Sequence, residues 1–260
     1  MKSFQKITSL SLLLLMGVAS FATAVKRSFY EIMSYSISSL EQEQMMDVYL
    51  KDAYLPAMHR QGISHIGVFK PRSTEEDTGK KVYILTPLKS QKELLKIEEK
   101  LAADAVYQSS GGLYINAMFD KRPFDRFETI ILRAFSEMPQ MNMADLSSPK
   151  SDRFYELRSY EGPTEKYYRK KVEMFNAGGE VTLFEKLNFN AVFYGEVITG
   201  SHMPNLMYMT TFENEVDRDE HWKAFVDSQE WTALKADAQY ANTVSKNTQD
   251  YLYPTDYSDI

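Results

Sequence analysis

Glu156 and Arg158 stand two residues apart in the run Phe154-Tyr155-Glu156-Leu157-Arg158-Ser159-Tyr160, where apolar and polar residues largely alternate. Residues i and i+2 of an extended strand share a face, so the spacing puts an acid, a base and the Tyr160 phenol on one side. In an enclosed interior such groups could hold a polar ligand or shift one another's proton affinities. They could equally form a structural ion pair tying two sheets together, since buried charges are generally paired whether or not a ligand is present. Glu31 and Tyr35 occupy the matching places of an earlier run, Ser28-Phe29-Tyr30-Glu31-Ile32-Met33-Ser34-Tyr35. Glu196, with Tyr194 nearby, is a further candidate of the same kind.

The four histidines, His59, His65, His202 and His221, show no H-x-x-x-H or H-x-H spacing, so no metal site is legible. His65 alternates with Ile63, Gly67 and Phe69 as in a strand; on an interior face it would be a base or an axial ligand for haem, and otherwise an ordinary structural histidine. No motif asks for a cofactor. Gly178-Gly179 lacks the spacing of a phosphate loop and instead interrupts an amphipathic helix, at about 2 kcal/mol of helix propensity. Trp222, Phe225 and Trp231 are spaced as core anchors of one helix and its continuation. The site, if there is one, is then bounded by Glu31, Tyr35, His65, Glu156, Arg158, Tyr160 and Glu196.

The elements that would position these residues come in two sets. The two runs above are offset by 125 positions, and at that offset Val82-Tyr83-Ile84-Leu85-Thr86 falls on Met207-Tyr208-Met209-Thr210-Thr211. Two runs in register indicate a duplicated unit. Each unit reads as strand, helix, strand, strand, helix, strand. In the first, strands are expected over 29–37, 63–69, 81–88 and 127–135, with helices beginning after Ser38 and near Gln91. Ser38 and Glu41 have capping-box spacing, and Pro56 should kink or end the first helix. In the second, strands are expected over 154–160, 191–198, 206–212 and 243–252, with helices over 164–186 and 217–226. The proline-containing stretch 138–152 separates the units, giving repeats at 25–140 and 150–260.

A four-stranded sheet with both helices on one face leaves the other face bare. Two such units in one chain can pack their bare faces together, which predicts an α+β fold of tandem ferredoxin-like βαββαβ units forming an intramolecular barrel of the dimeric α+β type. Tyr30, Ile32, Tyr155 and Leu157 suit the helix-covered faces, which would turn Glu31, Met33, Tyr35, Glu156, Arg158 and Tyr160 towards the space between the sheets.

Lys2 and Lys6, the ten apolar-rich residues Leu10 to Ala19, and Ala22-Thr23-Ala24 together read as a signal peptide cleaved before Val25. The expectation is an exported protein, periplasmic or extracellular. Ten residues fall well short of the roughly twenty needed to span a membrane. The absence of cysteine excludes disulfides, thiol nucleophiles and a lipid anchor on cysteine. Removal of residues 1–24 would leave 28 basic against 36 acidic residues, net −8. That sign argues against nucleic acid or an anionic membrane surface as partner.

Several further segments, taken with the Phe154–Tyr160 run, resemble the NIPSNAP family: Lys171-Val172-Glu173-Met174-Phe175-Asn176, Gly178-Gly179-Glu180, Gly195-Glu196 and His202-Met203-Pro204-Asn205-Leu206. So do Tyr208-Met209, Asp219, Trp222, Phe225, Glu230-Trp231 and the closing Pro254-Thr255-Asp256-Tyr257-Ser258. The resemblance spans nearly all of 153–260, with the first half a more divergent repeat. It implies the α+β barrel fold and no agreed reaction. Two functions remain open: binding of a small, largely apolar molecule between the sheets, with or without cofactor-independent activity, and a non-enzymatic interaction or structural module with a packed interior. Seventeen tyrosines and fifteen phenylalanines suit either. Assembly into a homo-oligomer is compatible with both.

Overall fold

Alternating apolar runs and strong helix-start signals produce two similar halves in the computed structural model, which describes residues 25–260; the signal peptide read over 1–24 lies outside the described residues. In the first half β1 (Phe29–Ser36) leads to α1 (Leu40–Tyr49) and, through a π-helical turn, α2 (Leu55–Arg60). These are followed by β2 (Gly67–Pro71), β3 (Lys81–Leu88), α3 (Gln91–Ala103), the short α4 (Ala105–Ser110) and α5 (Gly112–Ile115), and β4 (Arg126–Ala134). The second half runs β5 (Phe154–Glu161), α6 (Glu165–Phe175), α7 (Glu180–Lys186), β6 (Ala191–Thr199), β7 (Asn205–Phe212), α8 (Glu215–Asp227), α9 (Gln229–Ala236) and β8 (Lys246–Pro254).

The strands close into one barrel in the order β1-β3-β2-β8-β5-β7-β6-β4. Each half contributes the ferredoxin-like order, β4-β1-β3-β2 and β6-β7-β5-β8, and the expected α+β barrel of the dimeric type is what the chain forms. The two sheets face each other, and their edges are also hydrogen-bonded, which completes the barrel within one chain. These seams are short. β2 and β8 pair over three residue positions and β4 and β6 over four, whereas β1 and β3 pair over eight.

Local chemistry places the element ends. Ser39, rather than Ser38, caps α1 by accepting from the Gln42 amide, while Gln42 Oε1 accepts from the Ser38 amide at 2.7 Å. The helix predicted over 164–186 is two helices, because Gly179 takes φ 89°, a conformation that favours glycine. Pro56 follows the π-helical turn Leu50–Tyr54, where the helical ladder shifts register.

Three apolar clusters fill the molecule. One lies under the helices of the first half and one under those of the second. The third draws on both halves and occupies the barrel interior, with Tyr30, Ile32, Leu132, Tyr155, Phe193 and Leu252 among its members. Rings meet there directly, Tyr30 with Phe193 at 5.1 Å and Phe69 with Tyr155 at 4.8 Å between centroids. The face assignment drawn from the sequence is therefore reversed: Tyr30, Ile32, Tyr155 and Leu157 point inwards, and Glu31, Met33, Tyr35, Glu156, Arg158 and Tyr160 lie on the helix-covered faces. Both faces of each sheet are buried, so alternation separates two sets of residues without saying which set is inside. An eight-stranded barrel is just wide enough to be filled by side chains, and charges are accommodated where helix residues can reach them.

Candidate functional site

In the second half, β5 presents Glu156, Arg158 and Tyr160 to the helices. α8 starts at an Asn214 cap that accepts from the Asp217 amide, and this sets Arg218 and Trp222, one turn apart, over the strand. Glu156 is fully buried. Its Oε2 accepts from Arg218 Nε at 2.9 Å and Trp222 Nε1 at 2.7 Å, and its Oε1 from Arg218 Nη2 at 3.2 Å. Arg158 Nε lies 3.0 Å from Oε1. The Arg158 guanidinium sits 4.3 Å above the Trp222 ring and donates to Tyr160 at 3.2 Å and Tyr208 at 3.4 Å, while its Nη2 donates to Gln249. Deeper in, Lys171 and Glu180 pair at 2.8 Å, both buried. Burial pushes the Glu180 carboxyl up and Lys171 opposes it. Each of these charged side chains has a counter-charge.

The first half differs at equivalent positions. Glu31 pairs across the sheet with Thr86, and Glu156 with Thr210. The strand offset is 125 for the glutamates and 124 for the threonines, so the 125-residue register read across Val82–Thr86 slips by one. A one-residue slip changes the face: Tyr83 points into the barrel, whereas Tyr208 lies under the helices. The caps of α3 and α8, Ser90 and Asn214, are also 124 apart. Leu94 thus stands where the second half has Arg218, Glu98 where it has Trp222, and Met33 where it has Arg158.

Glu31 is consequently left alone. It is 8% exposed, and among the described residues it has neither an ion pair nor a hydrogen-bond partner. Burial, reinforced by Glu98, pushes its carboxyl up to about 7. The Thr86 hydroxyl, fully buried on the neighbouring strand near the Tyr54 phenol, makes no hydrogen bond of normal geometry. Around them stand tyrosines whose phenols burial holds in the neutral form: Tyr35, Tyr54 and Tyr114. Tyr35 donates to Met33 Sδ at 3.7 Å, and Tyr49 bonds Tyr107 at 2.9 Å. Tyr49 also stacks on Tyr114 at 3.6 Å, and these two rings line a cavity of about 200 Å³ beside α1 and α5.

The seven residues proposed from sequence do not converge. Glu31 and Tyr35 belong to the first layer, and Glu156, Arg158 and Tyr160 to the second. Glu196 is near the β4–β6 seam, paired with Arg27 and with Arg133 at 3.2 Å. His65 precedes β2 rather than lying in it, with φ 62° and an exposed side chain; it borders an open cavity near Ser28 and Lys89. The haem reading loses its proposed ligand, because His65 does not face the interior. Arg218, Trp222, Thr86 and the Lys171–Glu180 pair were not picked out as site residues. Only the i, i+4 spacing of Arg218 and Trp222 signalled a shared helix face.

Residues 155–259 match the family model for NIPSNAP. The second half is thus similar to a NIPSNAP domain. Its boundaries run from β5 to the tail that packs on the first half, where the Asp259 amide donates to the Ile66 carbonyl at 3.0 Å. No curated protein matches the chain. Among solved structures, a monooxygenase-like protein from Fusobacterium nucleatum is similar at 7% identity, over 88% of this chain and 93% of that one, with a TM-score of 0.60. A second, from Lactobacillus acidophilus, is similar at 10% identity over 88% and 94%, TM-score 0.56. An anthrone oxidase-like protein follows at 7% identity over 89% and 93%, TM-score 0.53. At these identities the likeness is one of fold: the NIPSNAP-like half and its partner half share the whole barrel architecture with these proteins.

Proposed function

We propose that the protein binds a small, largely apolar molecule in the sheet–helix layer of its first half, with Glu31 as the group that exchanges a proton or hydrogen bond with it. The observation that carries this reading is the buried, unpaired Glu31 carboxyl, pushed up to about 7 beside the Tyr35 and Tyr54 phenols. A carboxyl titrating near neutrality can both donate and accept a proton, which suits general acid–base chemistry without a bound cofactor. The tyrosines supply an apolar wall with polar tips. The space between the sheets, where the sequence alone located the ligand, is occupied by side chains. That filled interior favours the second reading, a non-enzymatic interaction module, and one experiment separates the two. Mass spectrometry of small molecules released from natively purified protein should find a ligand in the parent that is depleted in Glu31→Gln. Equal retention by the two, or nothing released from either, overturns the binding reading. Export belongs to the same proposal and rests on residues 1–24; N-terminal sequencing of the exported form should begin at Val25, and a start at Met1 refutes it.

A further inference from the structure

A further cavity, of about 520 Å³, opens at the β2–β8 seam where the halves meet; Lys70, Arg72, Tyr253, Thr255 and Tyr257 are on its wall. Its polar groups are unevenly engaged. Lys70, 8% exposed, donates at 2.8 Å to Glu43 and at 2.8 Å to Asp47, and Asp47 also accepts from the Tyr257 hydroxyl. Those carboxylates are thus occupied. Arg72 is different: its guanidinium lies 5.0 Å over the Phe154 ring and gives one hydrogen bond, to the Arg153 carbonyl at 3.1 Å. Among the described residues no carboxylate pairs with it. Thr255, 7% exposed, holds its backbone on Val68, while its enclosed hydroxyl, near the Tyr257 phenol, makes no hydrogen bond of normal geometry. Asp256, the remaining acid on the wall, is solvent-exposed.

The cavity therefore carries a surplus of donors: most of the Arg72 N–H groups and the Thr255 hydroxyl. A planar guanidinium with free N–H groups matches two oxygens of a carboxylate or phosphate in bidentate fashion, and a buried hydroxyl left unpaired is destabilising. An oxyanion satisfies both. We propose that this seam cavity binds the carboxylate or phosphate end of a small molecule, with Arg72 and Thr255 as its donors and Tyr253, Pro71 and Pro254 against the rest of the ligand. The inference is independent of Glu31.

Isothermal titration of the purified protein with inorganic phosphate, and separately with benzoate, tests it. At least one probe should bind saturably, and Arg72→Gln and Thr255→Val should each weaken that binding by about tenfold or more. Thr255→Val removes only the hydroxyl and keeps the backbone contact, so it decides the matter if Arg72→Gln fails to fold. Saturation by phosphate alone assigns a phosphoryl ligand, and by benzoate alone a carboxylate. Glu31→Gln should leave the titration unchanged. Failure of both probes to saturate, parent-like binding by Thr255→Val, or loss of binding in Glu31→Gln overturns the proposal.

Discussion

Glu156 and Glu31 occupy the same place in two copies of one unit, yet one is held by two arginines and a tryptophan and the other by nothing charged of opposite sign. The backbone, the strand pairing and the neighbouring threonine are alike. Three substitutions make the difference: Arg158, Arg218 and Trp222 in the NIPSNAP-like half against Met33, Leu94 and Glu98 in the first half. A buried carboxylate surrounded by cations and an indole N–H fixes a helix to its sheet. The same carboxylate without them takes up a proton near neutrality. The same position thus ties a helix to its sheet in one half and is left without a counter-charge in the other.

The largest effect expected from this contrast is in the second half. Arg218→Leu removes two charge-assisted hydrogen bonds from a fully buried carboxylate and should destabilise the protein by about 3–5 kcal/mol, measured by urea unfolding at neutral pH. A loss of only a few tenths would show that the network is peripheral and would remove the basis of the comparison.

Glu31→Gln should act in the opposite direction. A carboxyl raised from its ordinary 4.5 to about 7 is protonated in both states below 4.5 and imposes no penalty there. As pH rises past 4.5 the unfolded chain ionises first, so stability falls until the folded carboxyl ionises near 7. The full penalty, about 3 kcal/mol at roughly 1.4 kcal/mol per pH unit, applies above that. Unfolding midpoints measured from pH 4 to 9 should show this decline in the parent and less of it in Glu31→Gln, which should be the more stable of the two at pH 8. A parallel pair of curves would mean that Glu31 is already neutralised or hydrated.

The finest test converts one half into the other. Leu94→Arg places a guanidinium at the position of Arg218 and should draw the Glu31 carboxyl down from about 7 towards the ordinary carboxylate range, by about one to two pH units. Carboxyl-carbon NMR titration reads this directly. Ligand release should fall with it if a proton on Glu31 matters for binding. An unchanged titration would break the positional equivalence of Leu94 and Arg218.

Much of the fold was legible because its signals are local and repeated. The run around Tyr30 and the run around Tyr155 announce the same strand twice, and caps such as Ser90 and Asn214 announce the same helix. The site was less so. Alternation told Glu31 from Tyr30 but not inside from outside, since helices bury one face of each sheet and the barrel buries the other. The match of Tyr83 with Tyr208 was one residue out of true, and in a strand one residue is enough to invert the side chain. His65 read as a strand residue because Ile63, Gly67 and Phe69 alternate with it, although the chain turns through a left-handed conformation there. Arg218 was invisible as a partner of Glu156 because 62 residues separate them, and only the packed helix brings them together.

The short seams bear on how the molecule comes to exist at all. Pairings such as Glu31 with Thr86 form within one half, but Phe69 meets Pro254 across 185 positions of chain. Closing so long a loop is entropically late. During synthesis each half is then an open sheet with bare edges and an uncovered apolar face, and a second nascent chain offers the same edges as the true partner. Joining both halves in one polypeptide keeps the correct partner at high effective concentration, so tethering here guards against exchange between chains as much as it completes the barrel.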